Sequence, residues 1–224
     1  MGISEQKRQK KLMKQRRKQK EKRKAQAAAS QWTPFASLSR RKKILQANSF
    51  PIHECLVNPS WRERGFAQIL LTRRQPDGNL AFGCYLVDTY CLGLKNTFCN
   101  ADIPVSEYDL KIRSQMFREE PSEACPPALA HEIIYGGIDY AARFGFKPNR
   151  DFETSQHILD GRDAVGPGGQ VEFGYDGKPL FVAGPEDNVN WILKQLDATA
   201  GKGGYDYICP VLGKDEDRPA DFSE

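Results

Sequence analysis

The sequence predicts an α+β fold on three observations. Two Asp-Gly pairs, Asp77-Gly78 and Asp176-Gly177, each lie between β-prone segments, the local signature of hairpins. Residues 127–144 carry apolar side chains at helical spacing. The elements run hairpin, helix, helix, hairpin, helix, strand, without the alternation that a doubly wound parallel sheet requires. The expected architecture is two hairpins and a final strand in a mixed or antiparallel sheet, packed by two to four helices and preceded by a basic arm.

Residues 1–30 form that arm: Lys7 to Ala29 are strong helix formers with no apolar stripe to dock on a core. Residues 31–49 are a connector, in which Trp32, Phe35 and Leu38 are expected to anchor on the body and Arg40 to Ala47 to form a brief helix. The body, residues 50–211, opens with Gly65 to Arg74, turns at Gln75 to Asn79 and returns through Leu80 to Leu94. Both alternating sets of the return strand are apolar, Leu80, Phe82, Cys84 and Leu86 against Ala81, Gly83, Tyr85 and Val87, so it should be central and covered on both faces.

A short helix is expected over Ser106 to Phe117 and a long one over Pro127 to Phe144, stopped by Gly145. Gly136 and Gly137 inside the long helix suggest close approach to a neighbouring element. Asp151 to Leu159 reads as another short helix, followed by the glycine-rich loop Gly161 to Gly169. Gln170 to Phe173 and Pro179 to Ala183 flank the second Asp-Gly turn. A last helix carries Val189, Ile192, Leu193 and Leu196 as its buried stripe, and Tyr205 to Val211 should be a final strand. Residues 212–224 are polar and acidic, and read as a disordered tail.

Composition bounds the function. With 224 residues, 39% hydrophobic and 28% charged, the chain suits one globular domain, not a collagen-like or wholly disordered one. It has no apolar run approaching the roughly 18 residues of a spanning helix, and its basic start has no signal-like apolar segment. Gln6 stands where a myristoylation signal wants Ser or Thr. A cytoplasmic protein without a membrane partner is expected, or a nuclear one in a eukaryotic source. Six cysteines in such a chain read as buried free thiols, and none shows the closely spaced pairing of a zinc knuckle, so no metal or other cofactor is expected.

The net charge of +4 conceals a division. Residues 1–43 hold 16 Lys and Arg against Glu5 and Glu21, a net of +14; the rest holds 33 − 16 = 17 basic and 29 − 2 = 27 acidic residues, a net of −10. The basic residues are Lys7, Arg8, Lys10, Lys11, Lys14, Arg16, Arg17, Lys18, Lys20, Lys22, Arg23, Lys24, Arg40, Arg41, Lys42 and Lys43. Such a density is expected to contact the phosphates of nucleic acid, RNA or ribosome more than DNA, and to bind backbone without reading bases. The acidic body is left for a protein partner.

Three residues are candidates for catalysis. Asp88 lies in the apolar run Cys84 to Leu92, where a carboxylate must be paired, hydrogen-bonded or bound to metal. On a central strand it could serve a metal-dependent nuclease or other hydrolase; at a strand end, or beside Lys95, it would be structural. His131, Tyr135, Asp139 and Arg143 recur every four residues as one ridge of the long helix. Facing a cleft, His131 and Asp139 would supply a base and its orienting carboxylate; facing water they are a solvated side, the favoured reading. The glycine runs lack the ending of a phosphate loop. The sequence therefore reads as an RNA- or ribosome-associated binding protein more than an enzyme. The alternatives are a hydrolase centred on Asp88, or a protein-interaction module whose arm is a localisation signal.

Overall fold

The computed structural model describes residue 16 and residues 18–20, 35–162 and 169–209. Its centre is an antiparallel sheet of β1 (Ile52–Val57), β2 (Phe66–Arg74), β3 (Leu80–Asp88), β4 (Gly93–Ile103) and the two-residue β5 (Glu123–Ala124). Their order is β4-β3-β2-β1-β5. β2 and β3 form the hairpin expected from Asp77-Gly78, in unbroken register from Phe66 opposite Asp88 to Arg74 opposite Leu80. Gly78 takes a positive φ of 87° in the turn.

β3 is flanked on both sides and covered on both faces, as its two apolar sets require. Ala81, Tyr85 and Val87 join Ile69, Leu71 and Val57 in one core layer, which α5 (Pro127–Ala142) covers with Ala130, Ile133 and Ile134. Leu80, Phe82 and Cys84 join Leu56, Leu70 and Tyr108 in the opposite layer. That layer is closed by the expected short helix, which begins as α3 (Val105–Tyr108), loosens into a π-helical stretch at Asp109–Arg113 and ends as α4 (Ser114–Met116). Gly137 faces the sheet so closely that a methyl group there would stand 2.7 Å from Val87 Cγ1. Gly136 stands as close to the Phe173 ring, so the paired glycines mark close approach to a strand and to a loop aromatic.

The return strand expected from the sequence runs on to Leu94, with no element directly after it. In the structure β3 stops at Asp88, a turn intervenes, and Gly93, at φ +66°, starts β4. β4 escaped notice because its inward positions are small or polar: Thr97 is buried and its hydroxyl donates to Cys84 O at 2.8 Å. β1 was missed likewise, since His53 and Glu54 interrupt its apolar pattern and a bulge shifts its register.

The second expected hairpin is also corrected. Tyr175 and Lys178 exchange backbone hydrogen bonds around Asp176 and Gly177, both at positive φ, so the tight turn forms. Its arms do not pair with each other, because Gly174 N–H donates to Thr89 O and Leu180 N–H to Tyr90 O. β6 (Leu180–Val182) instead pairs in parallel with β7 (Asp206–Ile208). A parallel pair needs a crossover, which α7 (Val189–Thr199) supplies. Ile192 and Leu196 of α7 pack with Phe181, Cys91, Ala141 and Phe146 as a third cluster.

Two helices precede these units: α1 (Arg40–Leu45), and the one-turn α2 (Trp61–Arg64) between β1 and β2. The single turn of α6 (Phe152–Ser155), expected from Asp151 to Leu159, places Ser155 against Thr97. The folded unit reaches back to Phe35, whose ring meets Phe50 edge-on at 5.1 Å. Trp32 lies outside the described residues. Among the described residues no helix is long and apolar enough to cross a membrane.

Candidate nucleic-acid interface

α1 brings the second group of cations onto the folded body. Ser39 enters it in extended conformation, and the basic Lys42 and Lys43 occupy its last turn, where the helix dipole favours positive charge. Arg40, Arg41 and Lys42 are exposed, but Lys43 is turned inward and buried. Its Nζ lies 2.8 Å from Asp77 in the β2–β3 turn and 3.1 Å from Asp102 in β4. Burial works to lower the Lys43 pKa, but the hydrogen bonds to Asp77 and Asp102 prevail and leave it raised. The hydrogen bond from Asn79 and that from Lys43 hold the Asp102 carboxyl below the usual range. Lys43 is therefore corrected from a phosphate contact to a structural cation.

Of the arm, Arg16, Lys18 and Lys20 are helical and exposed. Lys7, Arg8, Lys10, Lys11, Lys14, Arg17, Lys22, Arg23 and Lys24 lie outside the described residues, as does the acidic tail. The exposed cations of α1 thus form the part of the expected phosphate-binding set that the fold holds in place.

Asp88 sits at the end of β3 and organises the turn that follows. Its Oδ1 accepts from the N–H groups of Tyr90 and Cys91, both at 2.9 Å, and its Oδ2 from Leu92 N–H at 3.1 Å. Burial pushes its carboxyl up to about 6, against the downward pull of these three bonds. Among the described residues no three His, Cys, Asp or Glu side chains gather where they could hold a metal. Asp88 thus takes the strand-end place, with its carboxylate engaged by the turn.

The ridge on α5 divides. His131, expected on a solvated side, is 1% exposed. Its Nδ1–H donates to Pro127 O, and Nε2, 2.9 Å away, accepts from Asp160 N–H. Burial lowers its pKa, outweighing Pro127 O and Asp160, so the ring is neutral with both nitrogens engaged. No lone pair remains for a general base. The His131 ring stacks on Tyr135, Arg162 lies over Tyr135, and Asp139 pairs with Arg162 at 2.8 Å in the open. Arg143 turns away to lie over Tyr140. Asp139 and His131 therefore do not form a catalytic pair. Glu132, beside them, holds the N–H groups of Gly169, Gln170 and Val171 on one oxygen.

No family model, curated protein or solved structure matches this chain.

A further concave surface lies between α2 and the β6–β7 pair. A groove of about 650 Å³ is lined by Arg64, Tyr90, Tyr175, Leu180, Tyr205 and Tyr207. The Tyr90 and Tyr175 rings meet edge-on at 5.5 Å. Next to it Arg62 covers the buried Trp61 ring at 4.3 Å. Sequence reasoning missed this groove because its tyrosines come from three separate segments, joined by the backbone bonds of Gly174 to Thr89 and Leu180 to Tyr90 and by the β6–α7–β7 crossover. Aromatic rings beside guanidinium groups are of the kind that stacks on planar ligands.

Proposed function

We propose that this protein binds RNA, free or within a ribosome, through the phosphate backbone, using its basic arm and the exposed cations of α1. The observation that carries the reading is the division of charge, +14 over residues 1–43 against −10 over the rest. A chain so polarised is drawn to a polyanion by one end while its body is repelled, which fixes orientation as well as affinity. The exposure of Arg40, Arg41 and Lys42 supports it, since these cations face solvent at the root of the arm. The body is then free to contact a second partner. The hydrolase alternative finds less support, because the Asp88 carboxylate is engaged by three backbone donors and both His131 nitrogens by their bonds.

The test is cosedimentation of the full chain with total RNA and ribosomes over a salt series, beside a chain whose twelve Lys and Arg up to Lys24 are replaced by Gln. Neutralisation is preferable to truncation at residue 44, which would remove Lys43 from its buried pairs. If about eight phosphates are engaged, log affinity falls with log salt at a slope near −6 for single strands. Both proteins remaining in the supernatant at low salt would overturn the reading.

A further inference from the structure

We propose that Cys55 and Cys125 are an oxidation site, a dithiol that closes to a disulfide and fastens the edge of the sheet to the start of α5. Cys55 lies in β1, and Cys125 follows β5 directly, where its N–H donates to Cys55 O at 3.0 Å. The pairing of Leu56 with Ala124 sets the two cysteines opposite each other across the antiparallel ladder. Opposed residues of this kind have Cα atoms about 5.5 Å apart, inside the range that a disulfide spans. The sulfurs are 3.4 Å apart and need to close by only about 1.4 Å.

The other thiols are placed so that none competes. Cys84 and Cys99 border opposite core layers of the sheet, Cys91 belongs to the third cluster, and Cys209 is exposed beyond β7. Between the paired thiols the roles differ. Either sulfur can donate to the other, and position separates them: Cys125 follows the exposed β5 while Cys55 lies within β1, so Cys125 is assigned as the nucleophile and Cys55 as the resolving thiol.

With a hydroperoxide as oxidant, the Cys125 thiolate attacks the distal peroxide oxygen, the O–O bond breaks, and the leaving oxygen takes a proton to depart as an alcohol or water. The resulting sulfenic acid is attacked by the Cys55 sulfur, which forms the S–S bond and expels hydroxide, which leaves as water with the Cys55 proton. Two thiols are oxidised and one peroxide is reduced. A thiol reductant reverses the bond. The product joins residues 70 apart in sequence and holds the two-residue β5, whose side chains are both exposed, by a covalent link.

The test oxidises the native full chain with hydrogen peroxide, blocks remaining thiols after denaturation, and digests with trypsin without reduction. The expected result is residues 44–62, whose sole cysteine is Cys55, joined to residues 119–143, whose sole cysteine is Cys125. Blockable thiols fall from six to four and return to six with dithiothreitol. In Cys55→Ala the oxidation should stop at a sulfenic acid on Cys125 that a cyclic 1,3-dione traps. Both peptides carrying the blocking group after peroxide, or Cys125 joined to Cys209 of another chain, would overturn the proposal. Trapping on Cys55 in Cys125→Ala, with none on Cys125 in Cys55→Ala, would overturn the assignment of roles.

Discussion

Asp88 and His131 are buried ionisable groups whose charges answer pH in opposite senses. The Asp88 carboxyl titrates near 6 in the fold against an ordinary 3.8, so the native state prefers it protonated. Its contribution is full below about pH 3.8 and is lost as pH rises through about 6, a difference on the order of 3 kcal/mol. His131 has its pKa lowered, so the native state prefers it neutral; its contribution is full above the ordinary 6.5 and is lost as pH falls through its lowered value. Unfolding midpoints from about pH 4 to 8 should show Asp88→Asn losing stability relative to the wild type as the solution is acidified. His131→Gln, which keeps a donor and an acceptor, should gain relative to the wild type over the same acid range. Parallel curves for wild type and both variants would refute the argument. Asp88→Ala, which strands three backbone donors, should cost about 2 kcal/mol or more at any pH. That Asp88 needed partners was legible from its apolar neighbours. The burial of His131 was not, because its acceptor bond comes from Asp160, 29 residues away.

For the elements, local chemistry predicted structure wherever the local bond was also the deciding one. Both Asp-Gly turns form, and α5 begins at its proline. The second hairpin fails as a pair because its arms find better partners at Thr89 and Tyr90, a tertiary choice with no local sign. β4 and β1 were illegible for the same kind of reason: their inward Thr97 and outward His53 break the apolar alternation. At Gly137 the helix and sheet depend on a missing side chain. Gly137→Ala gains helix propensity of about 1 kcal/mol yet drives a methyl into Val87, so overpacking of roughly 1–3 kcal/mol should make the variant less stable by chemical denaturation. Gly78→Ala, which meets nothing within 4 Å, should lose only through its positive φ, by about 1 kcal/mol. A Gly137→Ala protein as stable as the wild type would mean that α5 can slide away from β3.

Over the whole molecule, the basic arm and the body are joined through α1, and Lys43 is the joint. Its partners Asp77 and Asp102 lie 34 and 59 residues away, which is why a run of four cations looked uniform in sequence. Lys43→Met should leave both carboxylates without their cation, lowering stability by about 2 kcal/mol, while RNA cosedimentation is unchanged. Arg40, Arg41 and Lys42 replaced by Gln should do the reverse, weakening RNA binding at fixed salt with little change in the unfolding midpoint. A loss of binding in Lys43→Met at temperatures where it remains folded would contradict this separation.

α5 holds the chain at Arg162 and again at Gly169. Arg162 is tied to Asp139, and Gly169 to Glu132, so both ends are moored to one helix, seven residues and about 10 Å apart along its axis. A span whose ends are fixed by the scaffold tolerates added length, since each doubling costs only about 0.6 kcal/mol in closure entropy. The chain between these two moorings is therefore a place to splice in a fluorescent reporter or an epitope.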